Sequence, residues 1–221
     1  MESQVAIVTG ASSGLGAAMT KHLHGKWGMD IIGISRSFPN IIVSEGYYSV
    51  DLSKPEHVTD FIKSIKETYP PISLLINNAG FFSFESSVDI NTRLFQLNIL
   101  TPYMLSTELA FEPGANIINI ASEAGINPSP DCIIYGATKA GMIHMTKTLA
   151  KIYAPKIRVN CISPGFFKTN LVPGNLPENL LKTIPMQYEA DPKEILPVLD
   201  CILQSGYMTG VNISIDGGVS L

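Results

Sequence analysis

Charge is scarce in this chain: Asp, Glu, Lys and Arg make up 15% of its 221 residues, with no block of like sign and a net charge of −4. That excludes the basic footprint by which proteins hold nucleic acid or an anionic membrane. With 45% hydrophobic residues it also excludes a disordered chain. No apolar run approaches the roughly 20 residues of a membrane span. The opening MESQVAIVTG has no basic segment ahead of an apolar core, so no secretory signal and a cytoplasmic location are expected. Cysteine is sparse as well: Cys132, Cys161 and Cys201 are odd in number and widely spaced, which suits free thiols in a reducing compartment. The histidines form no ligand set, since His22 and His24 stand two apart on a helical pattern and face different ways. No metal site is expected.

What the chain does contain is alternation. QVAIVT, MDIIGIS, YYSV, ISLLIN, NIINIA, IRVNCIS and VNISI read as seven strands, and helical patterns fill most of the gaps: Leu15 to Lys26, Pro55 to Tyr69, Thr92 to Ala110, Tyr135 to Tyr153 and Pro192 to Leu203. This order predicts a doubly wound α/β fold, a parallel seven-stranded sheet with helices on both faces, built from residues 1–221 as one domain. One crossover is too short. Between the second and third strands only FPNIIVSEG is available, broken by Pro39 and Gly46, so a loop or single turn is expected there.

In such a sheet ligands bind beyond the carboxyl ends of the strands, where the glycine-rich and polar pieces of this sequence fall. After the first strand comes TGASSGLG, with Gly10, Ser12, Ser13, Gly14, Leu15 and Gly16 at the start of a helix. Glycines there let a backbone approach a pyrophosphate, and the helix N-terminus supplies amide donors. The second strand ends in Ser35 and Arg36 with no acid until Glu45. An acid at that place would repel an adenosine 2′-phosphate and a nearby Arg accommodates it, so NADP(H) is preferred, with NAD(H) possible. In IIYGATKAGM, Tyr135 and Lys139 stand four apart, which puts a phenol and an ammonium on one face of a helix.

With TGASSGLG, NNAG at Asn77 to Gly80, Ser122, YGATK and PGFFKT in this order, the sequence resembles the short-chain dehydrogenase/reductase family over essentially its whole length. The resemblance implies a Rossmann fold. It implies catalytic roles for Tyr135 as general acid/base, Lys139 as the cation that lowers the phenol's pKa and holds the nicotinamide ribose, and Ser122 as hydrogen-bond donor to the substrate oxygen. Asn98, in FQLNIL, would complete a tetrad by holding a water beside Lys139. Asn77, Asn78, Ala79 and Gly80 would line the adenosine side, Asp51 and Leu52 the adenine, and Pro164, Gly165, Phe167 and Thr169 the nicotinamide carboxamide. Ser13 departs from the family pattern, because many NADP-preferring relatives carry a basic residue there. The four residues Phe81, Phe82, Phe166 and Phe167 read as core.

The expected activity is NADP(H)-dependent reduction of a ketone or 3-oxoacyl carbonyl to a secondary alcohol, or the reverse. The alternative is a non-catalytic NADP-binding regulatory or scaffold protein. The segment of about 171–190 corresponds to the family's substrate loop. Its tail, IPMQYEADPKEI, resembles that of 3-oxoacyl-carrier-protein reductases, with Tyr188 where those commonly have arginine. A homodimer or homotetramer is expected, through a stripe of Met142, Met145, Leu149 and Ile152 and the apolar segment LFQLNILTPYMLSTELA.

Overall fold

In the computed structural model, which describes residues 4–37, 46–171 and 176–221, β1 (Val5–Thr9) is followed by α1 (Gly14–Trp27), β2 (Asp30–Ser35), β3 (Gly46–Ser49), α2 (Pro55–Thr68) and β4 (Ile72–Asn77). Next come α3 (Val88–Phe95), a π-helical turn (Gln96–Leu100), α4 (Thr101–Glu108), β5 (Phe111–Ile120), α5 (Ile133–Tyr153), β6 (Arg158–Pro164), α6 (Glu178–Leu181), α7 (Leu196–Gln204) and β7 (Asn212–Ile215). The seven strands form one parallel sheet in the order β3-β2-β1-β4-β5-β6-β7. The order reverses between β1 and β4, and the crevice at that switch point is where an open sheet takes its ligand.

Central strands are apolar on both faces because both are covered. In β1, Ile7 packs with Ile34, Phe61, Leu75 and Leu149 on one side, while Ala6 and Val8 pack with Met19, Leu23, Ile76 and Leu199 on the other. The far end of α1 is pinned to α7 by Asp200, whose carboxylate accepts from His22 Nε2 (2.8 Å), Trp27 Nε1 (2.8 Å) and Lys26 Nζ (2.7 Å).

Several expectations need correction. The helix expected over Thr92 to Ala110 runs from Val88 to Glu108 and is interrupted by the π-helical turn that carries Asn98. Hydrophobic period cannot register one extra residue in a turn, and such turns are frequent at functional sites. β5 starts at Phe111 rather than Asn116, with a register irregularity opposite Ile72 and Leu74. A short helix, α6, lies within the expected substrate loop. The expected loop or single turn after the second strand falls on residues 38–45, outside the described residues. Met142 and Leu149 are not surplus apolar surface: both are buried, Met142 against Ala121 and Cys161, Leu149 within the cluster that includes Ile7. The rest of the expected stripe and segment does expose apolar surface, at Ile152 and at Phe95, Leu100 and Tyr103. Among the described residues no helix is long and apolar enough to cross a membrane, and no three His, Cys, Asp or Glu side chains gather as a metal site would require.

Candidate active site

A cleft of about 520 Å³ opens at the carboxyl edge of the sheet, and most of the sequence-predicted residues line it. Gly10, Ser12, Ser13, Gly14 and Leu15 form its floor at the start of α1. The backbone there needs glycine. Gly10 has a φ of +68°, and a Cβ on it would lie 2.8 Å from Asn78 Nδ2, while one on Gly16 would lie 2.1 Å from the Gly10 carbonyl oxygen. Gly16 is thus buried where α1 meets the turn and does not line the cleft. Neither a side-chain cap from Ser13 nor an acid occupies the first turn of α1, so its amides remain available to an anion. This cradle fits the pyrophosphate of a dinucleotide.

Asn78 braces the turn, its Nδ2 donating to the Thr9 carbonyl oxygen at 2.9 Å, and Thr9 Oγ1 accepts from the amides of Asn78 and Ala79. Asn77 was expected beside the adenosine and is not there. It is buried, donating to Ser106 Oγ (3.1 Å) and Asn119 Oδ1 (2.8 Å), and Asn119 in turn donates to Thr146 Oγ1 (2.8 Å). The last residue of β4 faces the helices rather than the crevice, so this asparagine ties β4 to α4 and β5.

Ser35, Arg36, Asp51 and Leu52 line the far end; Gly80, expected on the adenosine side with Ala79, instead lies beside Lys139, whose Nζ would be 3.6 Å from a Cβ on it. Ser35 Oγ is tied to the Ser37 carbonyl oxygen and to the Tyr47 hydroxyl. The Asp51 carboxyl is held below its ordinary pKa chiefly by the Ser53 hydroxyl, against burial, with the Ser53 amide and then Arg36 and Lys54 contributing. Pro164, Gly165, Phe167 and Thr169 form the opposite wall after β6.

The reactive end is assembled from two elements. Ser122 follows β5 and opens a tight turn, its Oγ accepting from the Ala124 amide at 3.2 Å. That turn lies directly on α5: a Cβ on Gly125 would come 2.6 Å from the Lys139 carbonyl carbon. Tyr135 and Lys139 from the first turns of α5 are both buried and both line the cleft, with Lys139 Nζ 5.7 Å from the phenol ring centroid and donating to the Ile120 carbonyl oxygen at 2.9 Å.

Their electrostatics run against the expectation that the ammonium lowers the phenol's pKa. Burial dominates and lifts the Tyr135 phenol well above its ordinary value; the Ser122 hydroxyl pulls it down, and Glu123 and Cys132 push it up. Burial likewise pushes the Lys139 ammonium down to about 8, against the charge of Cys161. Asn98 sits close to Lys139: a Cβ on Gly80 would stand 3.5 Å from Asn98 Oδ1 and 3.6 Å from Lys139 Nζ. It is fully buried behind the cleft wall, with both amide hydrogens committed, to the Phe81 carbonyl oxygen (3.0 Å) and Thr138 Oγ1 (3.1 Å), while its Oδ1 accepts from the Phe81 amide (2.9 Å).

The aromatics read as core are both core and wall. Phe81, Phe82, Phe166 and Phe167 all line the cleft, while Phe167 is buried with Ile162 and Ile195 and Phe81 and Phe82 pack against Leu94 and Tyr135. Sequence reasoning missed Arg93, Leu97 and Glu189, which line it too. Arg93 and Leu97 are four apart on the helix that leads to Asn98, a spacing that could have revealed them.

Residues 4–179 match the family model described as short chain dehydrogenase. The chain is 30% identical to a 3-oxoacyl-[acyl-carrier-protein] reductase of Thermotoga maritima, covering 99% of this chain and 98% of that one. It is 31% identical to carbonyl reductase family member 4 of Danio rerio, covering 99% of each. Among solved structures, a 4-hydroxyisoleucine dehydrogenase complexed with NADH superposes with a TM-score of 0.87 at 26% identity, over 98% of both chains. The sheet order, the glycine cradle and the serine, tyrosine and lysine that line one cleft agree with these likenesses, and the chain belongs to the short-chain dehydrogenase family of oxidoreductases.

Proposed function

We propose that this oxidoreductase reduces the carbonyl of a small molecule to a secondary alcohol, or runs the reverse reaction, with NADP(H) as the preferred cofactor. The observation that carries the reading is the convergence of Ser122, Tyr135 and Lys139 on one wall of a cleft whose floor is a glycine cradle at a helix N-terminus. When bound there, the nicotinamide supplies the hydride to the carbonyl carbon. Ser122 Oγ hydrogen-bonds the carbonyl oxygen and fixes it against the phenol. Tyr135 Oη, which burial keeps protonated, transfers its proton to that oxygen as negative charge develops. Lys139 sets the local charge and is held in place by Ile120.

Arg36 at the adenosine end supports NADP(H), because a guanidinium matches a phosphate in charge and geometry. The NADH held by the 4-hydroxyisoleucine dehydrogenase keeps NAD(H) as the second reading. Retention of Ser122, Tyr135 and Lys139 in one cleft favours an enzyme over a scaffold. The 3-oxoacyl and carbonyl reductases among the relatives support a ketone or 3-oxoacyl substrate, and residues 171–190 are proposed as the substrate loop. Three free cysteines support a reducing compartment such as the cytoplasm. The exposed apolar residues Phe95, Leu100, Tyr103 and Ile152 support a homodimer or homotetramer. The deciding experiment follows NADPH and NADH absorbance with a panel of neutral ketones. Ketone-dependent oxidation faster with NADPH is expected, and no oxidation with either cofactor would leave the scaffold reading.

A further inference from the structure

We propose that Arg93 is an anion anchor at the substrate end of the cleft, selecting apolar oxo-acids whose carboxylate pairs with the guanidinium while an aryl or alkyl body lies along Phe82. This rests on the reading of the cleft as a carbonyl-reducing site. Arg93 lines the same cleft as Ser122 and Tyr135, and its Cζ stands 4.3 Å from the centroid of the Phe81 ring. Its Nε is buried with no acceptor, and among the described residues no carboxylate forms an ion pair with its guanidinium.

An arginine keeps its charge at any physiological pH and presents a planar fork suited to a carboxylate. A cation set in a cleft with a covered, unpaired N–H is a group waiting for an acceptor. It is also held ready. Asn98 clamps the Phe81 backbone at both its amide and its carbonyl, which orients the ring on which the guanidinium stacks.

The other charges of the cleft are committed or distant. Lys139 donates to Ile120, Asp51 and Arg36 belong to the adenosine end, and Glu189 forms no ion pair with Arg93. The Phe81 and Arg93 pair lies at the phenol end, since Phe81 packs in the cluster of Leu94, Ala124 and Tyr135. That position favours a substrate carboxylate over a cofactor phosphate. Alongside it runs an apolar path, with Phe82 edge-on to Tyr135 at 5.0 Å and to Phe84 at 4.6 Å, and Phe84 68% exposed.

The test compares two phenyl oxo-acids of different carbonyl-to-carboxylate spacing, benzoylformate and 4-oxo-4-phenylbutanoate, with their methyl esters. The wild-type protein is expected to favour at least one acid over its ester by about tenfold or more in kcat/KM, the size of a charge-assisted hydrogen bond. Arg93→Met, which keeps an unbranched apolar stem without the guanidinium, should abolish that preference through the KM of the acid, leaving the ester and the KM for NADPH unchanged. Arg93→Lys should restore part of it. Equal losses for acid and ester, a rise confined to the KM for NADPH, or a wild type with no acid preference at either spacing would each overturn the proposal, and the last comparison needs no variant. Turnover of esters and neutral ketones without an acid preference removes the anion anchor alone; no turnover of any carbonyl compound removes the underlying reading as well.

Discussion

The ammonium of Lys139 donates to the main-chain carbonyl of Ile120 at 2.9 Å, joining the first turns of α5 to the last residue of β5. The bond holds a buried cation one residue from the start of the Ser122 loop, so the proton on Lys139 and the geometry of the serine are linked.

That link carries a pH dependence. Burial pushes the Lys139 pKa down to about 8, so the side chain is charged below that pH and neutral above it. The kcat/KM for carbonyl reduction is therefore expected to be level between pH 6 and 7 and to fall above about pH 8, while alcohol oxidation, which needs the phenolate, rises with pH. A reduction rate that stays flat to pH 10 would contradict it.

Tyr135→Phe should lower turnover by on the order of 10²-fold or more, as expected for removal of a general acid, with NADPH affinity nearly intact. Steady-state kinetics beside a cofactor titration separate the two effects, and turnover within a few-fold of wild type would remove the phenol from the mechanism.

Arg36→Ala should weaken NADPH by about 1.5–3 kcal/mol, the range for hydrogen bonds to charged groups, and change NADH little. Calorimetric titration with both dinucleotides reads this directly. Equal losses for the two would mean that the arginine does not recognise a 2′-phosphate.

Asn98→Ala would strip three hydrogen bonds, two from the half-buried backbone of Phe81 and one from the buried Thr138 hydroxyl. Thr138 Oγ1 keeps its bond to the Tyr135 carbonyl, so the loss falls on the two Phe81 groups, and the chain should lose on the order of 1–3 kcal/mol of stability in a urea titration. A near-wild-type midpoint would show that the π-helical turn does not depend on this side chain.

Asp200→Asn tests the pin between α1 and α7. Burial alone would raise the Asp200 carboxyl, but hydrogen bonds from Lys26, His22 and Trp27 outweigh it and hold the pKa at about 2. The folded pKa lies below the unfolded value, so the carboxylate's contribution is present above about pH 4 and lost as the pH falls towards 2. The variant should be less stable at pH 7 by about 1–3 kcal/mol and approach wild type near pH 2, as followed by urea unfolding.

Assembly is expected to reach a dimer or tetramer through Phe95, Leu100, Tyr103 and Ile152, the last 65% exposed. Light scattering at micromolar concentration checks this, and a particle near 24 kDa would be the monomer.

Much of this molecule was readable along the chain because its signals are local. Four of the five residues of β1 are apolar in sequence because both sheet faces are covered, and four-residue spacing alone sets Tyr135 and Lys139 on one helix face. The glycines of the first turn declare a backbone that no side chain would permit. What tertiary structure decided is which way each side chain turns where two elements meet. Asn77 and Asn78 are neighbours of one chemical type, yet one is drawn into the buried network with Asn119 and Ser106 while the other braces the glycine turn. Met142 and Ile152 share a helix and an apolar character, but only the first finds a covering layer in Ala121 and Cys161. The phenol's pKa was set by the depth of its burial, which no spacing encodes, and so Tyr135 titrates above rather than below its ordinary value. Arg93 lies in the cleft with its guanidinium over the Phe81 ring, a contact twelve residues apart that only the folded chain brings together.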